Sequence, residues 1–223
     1  MRTVSVTAPG RLHLGFLDMN GSRGRRFGSV GLTLQGPCVE LSIRRASSLA
    51  LAGSQSERAA AFAQAMCTRF NLPDDFQLSI TQTIPEHVGL GSGTQLGIAV
   101  GVALARLYRI ELSVREIAVV VQRGQRSGIG AGAFEFGGFL IDGGKGAGDE
   151  PPPVVSRVEF PADWRILLVL DRAAHGLHGE REIAAFQKLP AFPETLSSHL
   201  CRLMLMQALP ALAERDIESF TAG

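Results

Sequence analysis

The stretch PEHVGLGSGT (Pro85–Thr94) runs without a break into QLGIAVGVALARLY (Gln95–Tyr108), and the reading of this junction decides the fold. Phe76–Thr83 alternates apolar and polar residues and reads as a strand, which Pro85 ends. From about Thr94 to Tyr108 the chain reads as an apolar helix. Glycines and hydroxyl residues between a strand and a helix form a loop whose backbone N–H groups, with the positive end of the helix dipole, can hold an anion. The residues assigned to that phosphate cradle are Gly89, Leu90, Gly91, Ser92, Gly93 and Thr94. The same glycines would also serve a plain tight turn. The loop is not a P-loop, because no Gly-Lys-Ser/Thr occurs. It is not a dinucleotide fingerprint either, because Pro85-Glu-His-Val separates the strand from the glycines.

Outward from this junction, Thr3–Thr7, Arg11–Leu17, Leu32–Leu34 and Val39–Arg44 read as strands, with a loop over 18–31 and a turn at Gly36-Pro37. Glu57–Phe70 reads as a helix. Ser113–Gln122 reads as another, with Ser113 as N-cap and Glu116 at the capping-box position. A glycine-rich loop, Gly124–Gly132, leads to a strand at Phe136–Ile141 and a linker over Gly143–Pro153. Beyond it the pattern predicts a strand at Arg165–Leu170, a polar loop around His175 and helical segments from Glu180 onward. Strands followed by helices and another strand argue for α+β rather than an alternating parallel sheet. The expected division is one domain over 1–152 and a second over 153–223.

Composition narrows the function classes. The 223 residues carry a formal net charge of +1 and only 6% aromatics, a poor match to a nucleic-acid binder. The longest apolar stretch, Leu96–Ala105, is interrupted by glycines and too short to span a bilayer, so no membrane partner is expected. Cys38, Cys67 and Cys201 stand far apart, which reads as reduced thiols in a cytoplasmic protein. Of 26 glycines, fifteen lie between Gly89 and Gly148 and seven between Gly10 and Gly36. Such crowding suggests backbone wrapped around ligands.

Several side chains could serve such a ligand. Arg11 and His13 share a face of their strand by alternation, either toward a ligand or on a solvated sheet face. Arg23, Arg25 and Arg26 form a cationic cluster that reads equally as a phosphate clamp or a solvated turn. Arg126-Ser-Gly-Ile-Gly130 resembles a second ligand-facing loop. His175-Gly-Leu-His178 has a spacing seen in metal sites, but without a third ligand a polar loop is the simpler account.

Pro9-Gly-Arg-Leu-His-Leu-Gly15 and Pro85-Glu-His-Val-Gly-Leu-Gly-Ser-Gly93 resemble the first two motifs of the galactokinase, homoserine kinase and mevalonate kinase (GHMP) superfamily. A non-kinase branch, the β-ribofuranosylaminobenzene 5′-phosphate synthases, is more similar still. That likeness covers Gly10-Arg-Leu-His-Leu-Gly-Phe-Leu-Asp18-Met-Asn-Gly21, Gly89-Leu-Gly-Ser-Gly-Thr-Gln95 and Arg126-Ser-Gly-Ile-Gly130. It extends through Phe134-Glu-Phe-Gly-Gly-Phe-Leu-Ile-Asp-Gly-Gly144, Asp163-Trp-Arg-Ile166 and Gly176-Leu-His-Gly-Glu180. The resemblance implies an N-terminal domain like domain 2 of ribosomal protein S5 and a ferredoxin-like C-terminal domain. It places a third glycine-rich motif beyond residue 223, so the second domain is expected to be partial.

The resemblance further implies condensation of phosphoribosyl pyrophosphate with para-aminobenzoate, releasing pyrophosphate and CO2, on the way to methanopterin. The implied roles are catalysis by Arg126 and Asp18, phosphate binding by Arg11 and Arg26 beside the loop, and substrate binding by His13 and Gln95. Mg²⁺ is the expected cofactor, with Asp142 and Glu135 as its ligands, Asp18 and Glu86 being further candidates; a homodimer is the assembly to test. Two alternatives stand beside this reading: an ATP-dependent small-molecule kinase of the same superfamily, and a non-catalytic, truncated binding module. Many of the kinases carry an Asp where this chain has Gly130, which has no group to accept a proton.

Overall fold

In a computed structural model of the chain, residues 3–170, 184–186 and 188–222 are described. Six strands form one sheet: β1 (Thr3–Asp18), β2 (Phe27–Arg45), β3 (Ala50–Ala52), β4 (Phe76–Gln82), β5 (Phe139–Asp142) and β6 (Val154–Val158). β2 organises it. One edge pairs antiparallel with β1 from Arg44 back to Phe27. The other edge pairs with β4 over Glu40–Arg45 and with β5 over Val30–Leu32. The sheet therefore forks along β2, and β3 and β6 extend its two arms by pairing with β4 and β5. β6 carries the sheet past residue 152, the expected end of the first domain.

Four helices precede β6: α1 (Ser56–Phe70), α2 (Ser92–Tyr108), α3 (Val114–Val120) and α4 (Ile129–Glu135). α2 is buried nearly all round, as its apolar composition demands. It packs with Phe62 and Met66 of α1 and Ile117 of α3 over Val39, Leu41 and Ile43 of β2. After β6 come α5 (Glu194–Leu203), a π-helical turn at Met204–Ala208, α6 (Leu209–Glu214) and α7 (Ile217–Thr221). Pro210 has no N–H for the carbonyl one turn back, and the chain widens there instead of kinking out of the helix. Leu212 and Phe220 from this segment cover Val30, Leu32, Phe139 and Ile141 on the sheet.

The α+β architecture and the helix at the glycine junction are as expected, and α3 has the predicted capping box between Ser113 and Glu116. Four local expectations are corrected. Thr3–Thr7 and Arg11–Leu17 form one strand, and so do Leu32–Leu34 and Val39–Arg44, because β1 and β2 pair across both intended breaks. β2 begins at Phe27, inside the expected loop. Residues 28–32 are all buried, so the alternation that marks a strand with one wet face is absent there. The expected glycine loop Gly124–Gly132 contains the start of α4, whose small residues fit beneath the sheet. Arg165–Leu170 forms no strand: no strand among the described residues pairs with it, and Leu167 and Val169 stand exposed. His175 and His178 lie outside the described residues. Among the described residues no helix is long and apolar enough to cross a membrane, and Cys38, Cys67 and Cys201 are free thiols.

Candidate active site

The fork in β2 is where the glycine loop enters. β1 shifts register against β2 between Pro9 and Arg11, and there the Arg11 N–H donates to the Leu90 carbonyl at 3.1 Å. Gly89 and Gly91 adopt φ of 82° and 83°, a left-handed geometry that glycine takes without strain. Gly91 is the N-cap of α2. No side chain caps this helix and its first turn holds no acid, in contrast to the sealed N-terminus of α3. The first N–H groups of a 17-residue helix are thus left for another acceptor.

A cavity of about 460 Å³ lies against this helix end, lined by Arg11, His13, Gly89, Thr94, Arg123 and Arg126 among others. None of its described lining residues is acidic. Arg11 Nη1 donates to the Gly89 carbonyl at 2.6 Å and ties strand to loop. Its Nε is buried without a partner, as are His13 Nε2 and Arg123 Nε. Burial pushes the Arg11 guanidinium below its ordinary pKa, and burial with the charge of neighbouring Arg58 does the same to Arg123. Charges in such a setting are stabilised by an anion that shares the cavity. Arg58 and Arg123 both reach the loop, since a Cβ added at Gly93 would meet Arg58 Nη2 at 2.6 Å and Arg123 Nη2 at 3.5 Å.

His13 is held neutral. Burial, and then the Arg11 charge, lower its pKa to about 4, so at neutral pH it acts through hydrogen bonds alone. The imidazole sits edge-on to Phe16 with ring centroids 4.6 Å apart. Between about 4 and the ordinary value of 6.5 the unfolded chain binds a proton that the folded chain does not. His13 should therefore make stability fall as pH drops from 6.5 toward 4, with no further loss from this group below. Urea midpoints across that range, compared with His13→Gln, check this; equal slopes for the two proteins would refute it.

The remaining expected residues divide clearly. Thr94 and Arg126 line the cavity with Arg11 and His13. Gln95 does not: it is fully buried and its Nε2 donates to the Gly130 carbonyl at 2.9 Å, joining α2 to α4. A Cβ added at Gly130 would lie 2.6 Å from Thr94 Cγ2, so the position that the resemblance matches to an Asp of many kinases has no room here for a side chain. The Arg23–Arg26 cluster does not converge on the loop, because each member already has a partner. Arg23 bonds Glu194, Arg25 bonds the Gly143 and Gly144 carbonyls, and Arg26 Nε bonds the Met19 carbonyl. Asp18 Oδ1 accepts from the Asn20 and Gly21 N–H groups, closing the turn after β1.

The expected metal ligands do not come together. Asp142 is 1% exposed, and its Oδ1 accepts from the Ser29 and Gly144 N–H groups. Its Oδ2 accepts from Gly128 N–H and the Ser127 hydroxyl. Four donors occupy the carboxylate's lone pairs and leave none for a cation. Glu135 is exposed and lines a different cavity with Arg115, and Glu86 is paired with Arg58. Among the described residues no group of three or more metal-ligating side chains assembles.

Arg123 and Arg58 are the site residues that sequence reasoning missed. Arg123 follows α3 after Gln122, whose φ of 55° ends the helix and turns the chain back toward α2. Its proximity to Arg126 across Gly124 was the available signal. Arg58 lies in the first turn of α1, far from either glycine segment in sequence, and nothing local marks it.

Known proteins resemble the chain in fold and in sequence. Residues 57–138 match the family described as GHMP kinases N terminal domain. Phosphomevalonate kinase of Streptococcus pneumoniae superposes with a TM-score of 0.68 over 99% of this chain and 76% of that one, at 13% identity, a likeness of fold alone. The chain is 36% identical to Beta-ribofuranosylphenol 5'-phosphate synthase of Archaeoglobus fulgidus, over 96% of its own length and 72% of that protein. It is 32% identical to the protein of that name from Methanothermobacter thermautotrophicus, with the same coverage of each chain. By these likenesses the chain belongs to the Beta-ribofuranosylphenol 5'-phosphate synthase family of the GHMP superfamily.

Proposed function

We propose that the chain condenses phosphoribosyl pyrophosphate with para-aminobenzoate, releasing pyrophosphate and CO2, as a step of methanopterin biosynthesis. The observation that carries the reading is the convergence of buried, unpartnered nitrogens of Arg11, His13 and Arg123 on one cavity, with no acid among its described lining residues, at an uncapped helix N-terminus. Breaking the bond from ribosyl C1 to pyrophosphate leaves negative charge on the departing oxygens. Preorganised donors aimed at that charge supply the largest single catalytic effect in such sites. The N–H groups at the start of α2, Arg11 and Arg123 receive the diphosphate, Thr94 adds a hydroxyl, and neutral His13 adds a hydrogen bond without competing for the charge. The ring carbon bearing the acceptor's carboxylate attacks C1.

The carboxylates among the described residues do not fit a protein-held Mg²⁺. The proposal therefore leaves Mg²⁺ on substrate oxygens and routes no step through it. The relatives are named for a phenol product, where the resemblance implies an aminobenzene; the two differ in one para substituent, hydroxyl or amine. Both para-hydroxybenzoate and para-aminobenzoate belong in the assay.

The test is release of pyrophosphate from phosphoribosyl pyrophosphate that depends on the aromatic acid. Consumption of ATP with a small alcohol would replace this reading by the kinase one, and binding without turnover would favour a binding module. Gly91→Val is expected to weaken phosphoribosyl pyrophosphate binding at least tenfold. Valine at φ 83° is strained, and its Cβ would stand 3.3 Å from the Arg11 side chain. Unchanged affinity in a folded Gly91→Val protein would remove the loop from the site.

A further inference from the structure

The phosphate loop is gripped from two sides. On the β1 side, Arg11 bonds the carbonyls of Gly89 and Leu90. On the other side stands the start of α1, which meets the loop at successive points. The hydroxyls of Ser54 and Thr83 are 3.3 Å apart, and Gln55 Nε2 donates to the Ile84 carbonyl at 3.4 Å. Arg58 Nη1 donates to the Glu86 carboxylate, and to Gln55 Oε1 at 3.3 Å. Arg58 Nη2 lies so close to Gly93 that a Cβ added there would meet it at 2.6 Å. One guanidinium therefore touches the loop soon after it leaves β4 and again in the first turn of α2. The described wall of the phosphate cavity does not include Arg58, so its effect on an anion passes through the loop.

The Arg58–Glu86 pair needs a reason to be there. A carboxylate beside an anion site repels the anion. The pair is also a weak stabiliser, because its side chains are 34% and 39% exposed, and exposed pairs add little to folding. Next to Glu86, His87 stands at φ 59°, which costs energy in a residue with a side chain and persists where the surroundings hold it. We infer that Arg58 and Glu86 form a brace that holds the phosphate loop in its anion-binding shape, with Arg58 the positioning residue and Glu86 its anchor. The inference rests on the reading of the first cavity as the phosphoribosyl pyrophosphate site. Glu86 fixes one end of the guanidinium, and the other end packs against Gly93. The first N–H groups of α2 are then aimed before the diphosphate arrives, so little affinity is lost to ordering the loop. The brace also sets charge, since Arg58 repels the Arg123 that lines the cavity and its pairing with Glu86 limits that repulsion.

Calorimetric titration of the whole chain with inorganic pyrophosphate, with and without Mg²⁺, tests the brace against simple electrostatics. If Glu86 acts only through its field, removing its charge tightens anion binding. The brace predicts the opposite sign. Without Mg²⁺, Glu86→Gln is expected to weaken pyrophosphate binding about fivefold and Arg58→Gln about tenfold. The double variant should lose no more than Arg58→Gln alone, because all three open the same brace. Urea midpoints are expected to stay at the parent's value, which makes the loss one of loop geometry and not of folding. Tighter or unchanged binding in Glu86→Gln would overturn the inference, as would additive losses in the double variant. A loss in Glu86→Gln confined to titrations with Mg²⁺ would overturn it by making Glu86 a metal ligand. Midpoints that fall in step with affinity would overturn it by reducing the pair to scaffold. A parent that ignores pyrophosphate under both conditions would sink the reading of the first cavity and the brace together; a parent that binds, with variants that match it, would sink the brace alone.

Discussion

Replacing Arg123 by glutamine is expected to lower the rate of pyrophosphate release by about 10²–10³-fold, the usual cost of losing one preorganised donor to a developing charge. Arg123 lines the phosphate cavity, and its Nε has no protein acceptor. In the free protein it is destabilised by burial and by Arg58. Removing it takes away no ion pair of its own and relieves a repulsion, which offsets the lost stacking over Phe62 at 5.2 Å, so the folded state should change little. That combination separates a catalytic donor from a structural one. Steady-state kinetics with a urea melt of the same sample read both; a modest rate loss with a large stability loss would assign Arg123 to the scaffold. Arg123→Lys is expected to recover only part of the rate, because an ammonium keeps the charge but not the planar fork.

Asp142→Asn is expected to destabilise the protein by roughly 2–4 kcal/mol, since a buried donor left without its acceptor costs about 1–3 kcal/mol and bonds to a charged acceptor are stronger than neutral ones. The Asp142 carboxylate gathers Ser29 of β2, Gly144 after β5 and the Ser127–Gly128 entry to α4. An amide group in its place must turn its NH₂ toward one pair of these donors. The least damaging orientation faces Gly128 N–H and the Ser127 hydroxyl, because the hydroxyl can rotate to accept. The unfolding midpoint in urea should fall with an unchanged slope. An unchanged midpoint would mean that these bonds do not carry the joint, and would reopen the carboxylate to other roles.

These two residues show where the sequence was readable and where it was not. Asp142 was visible as an acid in a glycine-rich segment, a pattern that fits a metal ligand and a backbone clamp equally well. The donors that decide between them come from residues 14 to 113 positions away in sequence or lie beside it in the turn. Arg123 carries only a faint local mark, its nearness to Arg126 across Gly124. It becomes a site residue because Gln122 turns the chain and α3 packs beside α2. The arginines of the 18–31 loop failed in the opposite direction. They look like a clamp in sequence, but carbonyls and Glu194 brought near by folding occupy them.

The loop and helix at Pro85–Tyr108, the capping box at Ser113 and the one-faced alternation of Val39–Arg44 were legible because each depends on residues within a turn or two of one another. Residues 28–32 were not, since a strand covered on both faces by α4 and the C-terminal helices loses the alternation that announces it. By itself, then, the sequence determined the α+β class, the glycine-led helix start and the family, because these rest on short-range spacing and backbone geometry. Only the tertiary structure decided which cations face that helix and which carboxylates are already saturated. Those are matters of long-range proximity and of hydrogen-bond partners, and no local pattern encodes them.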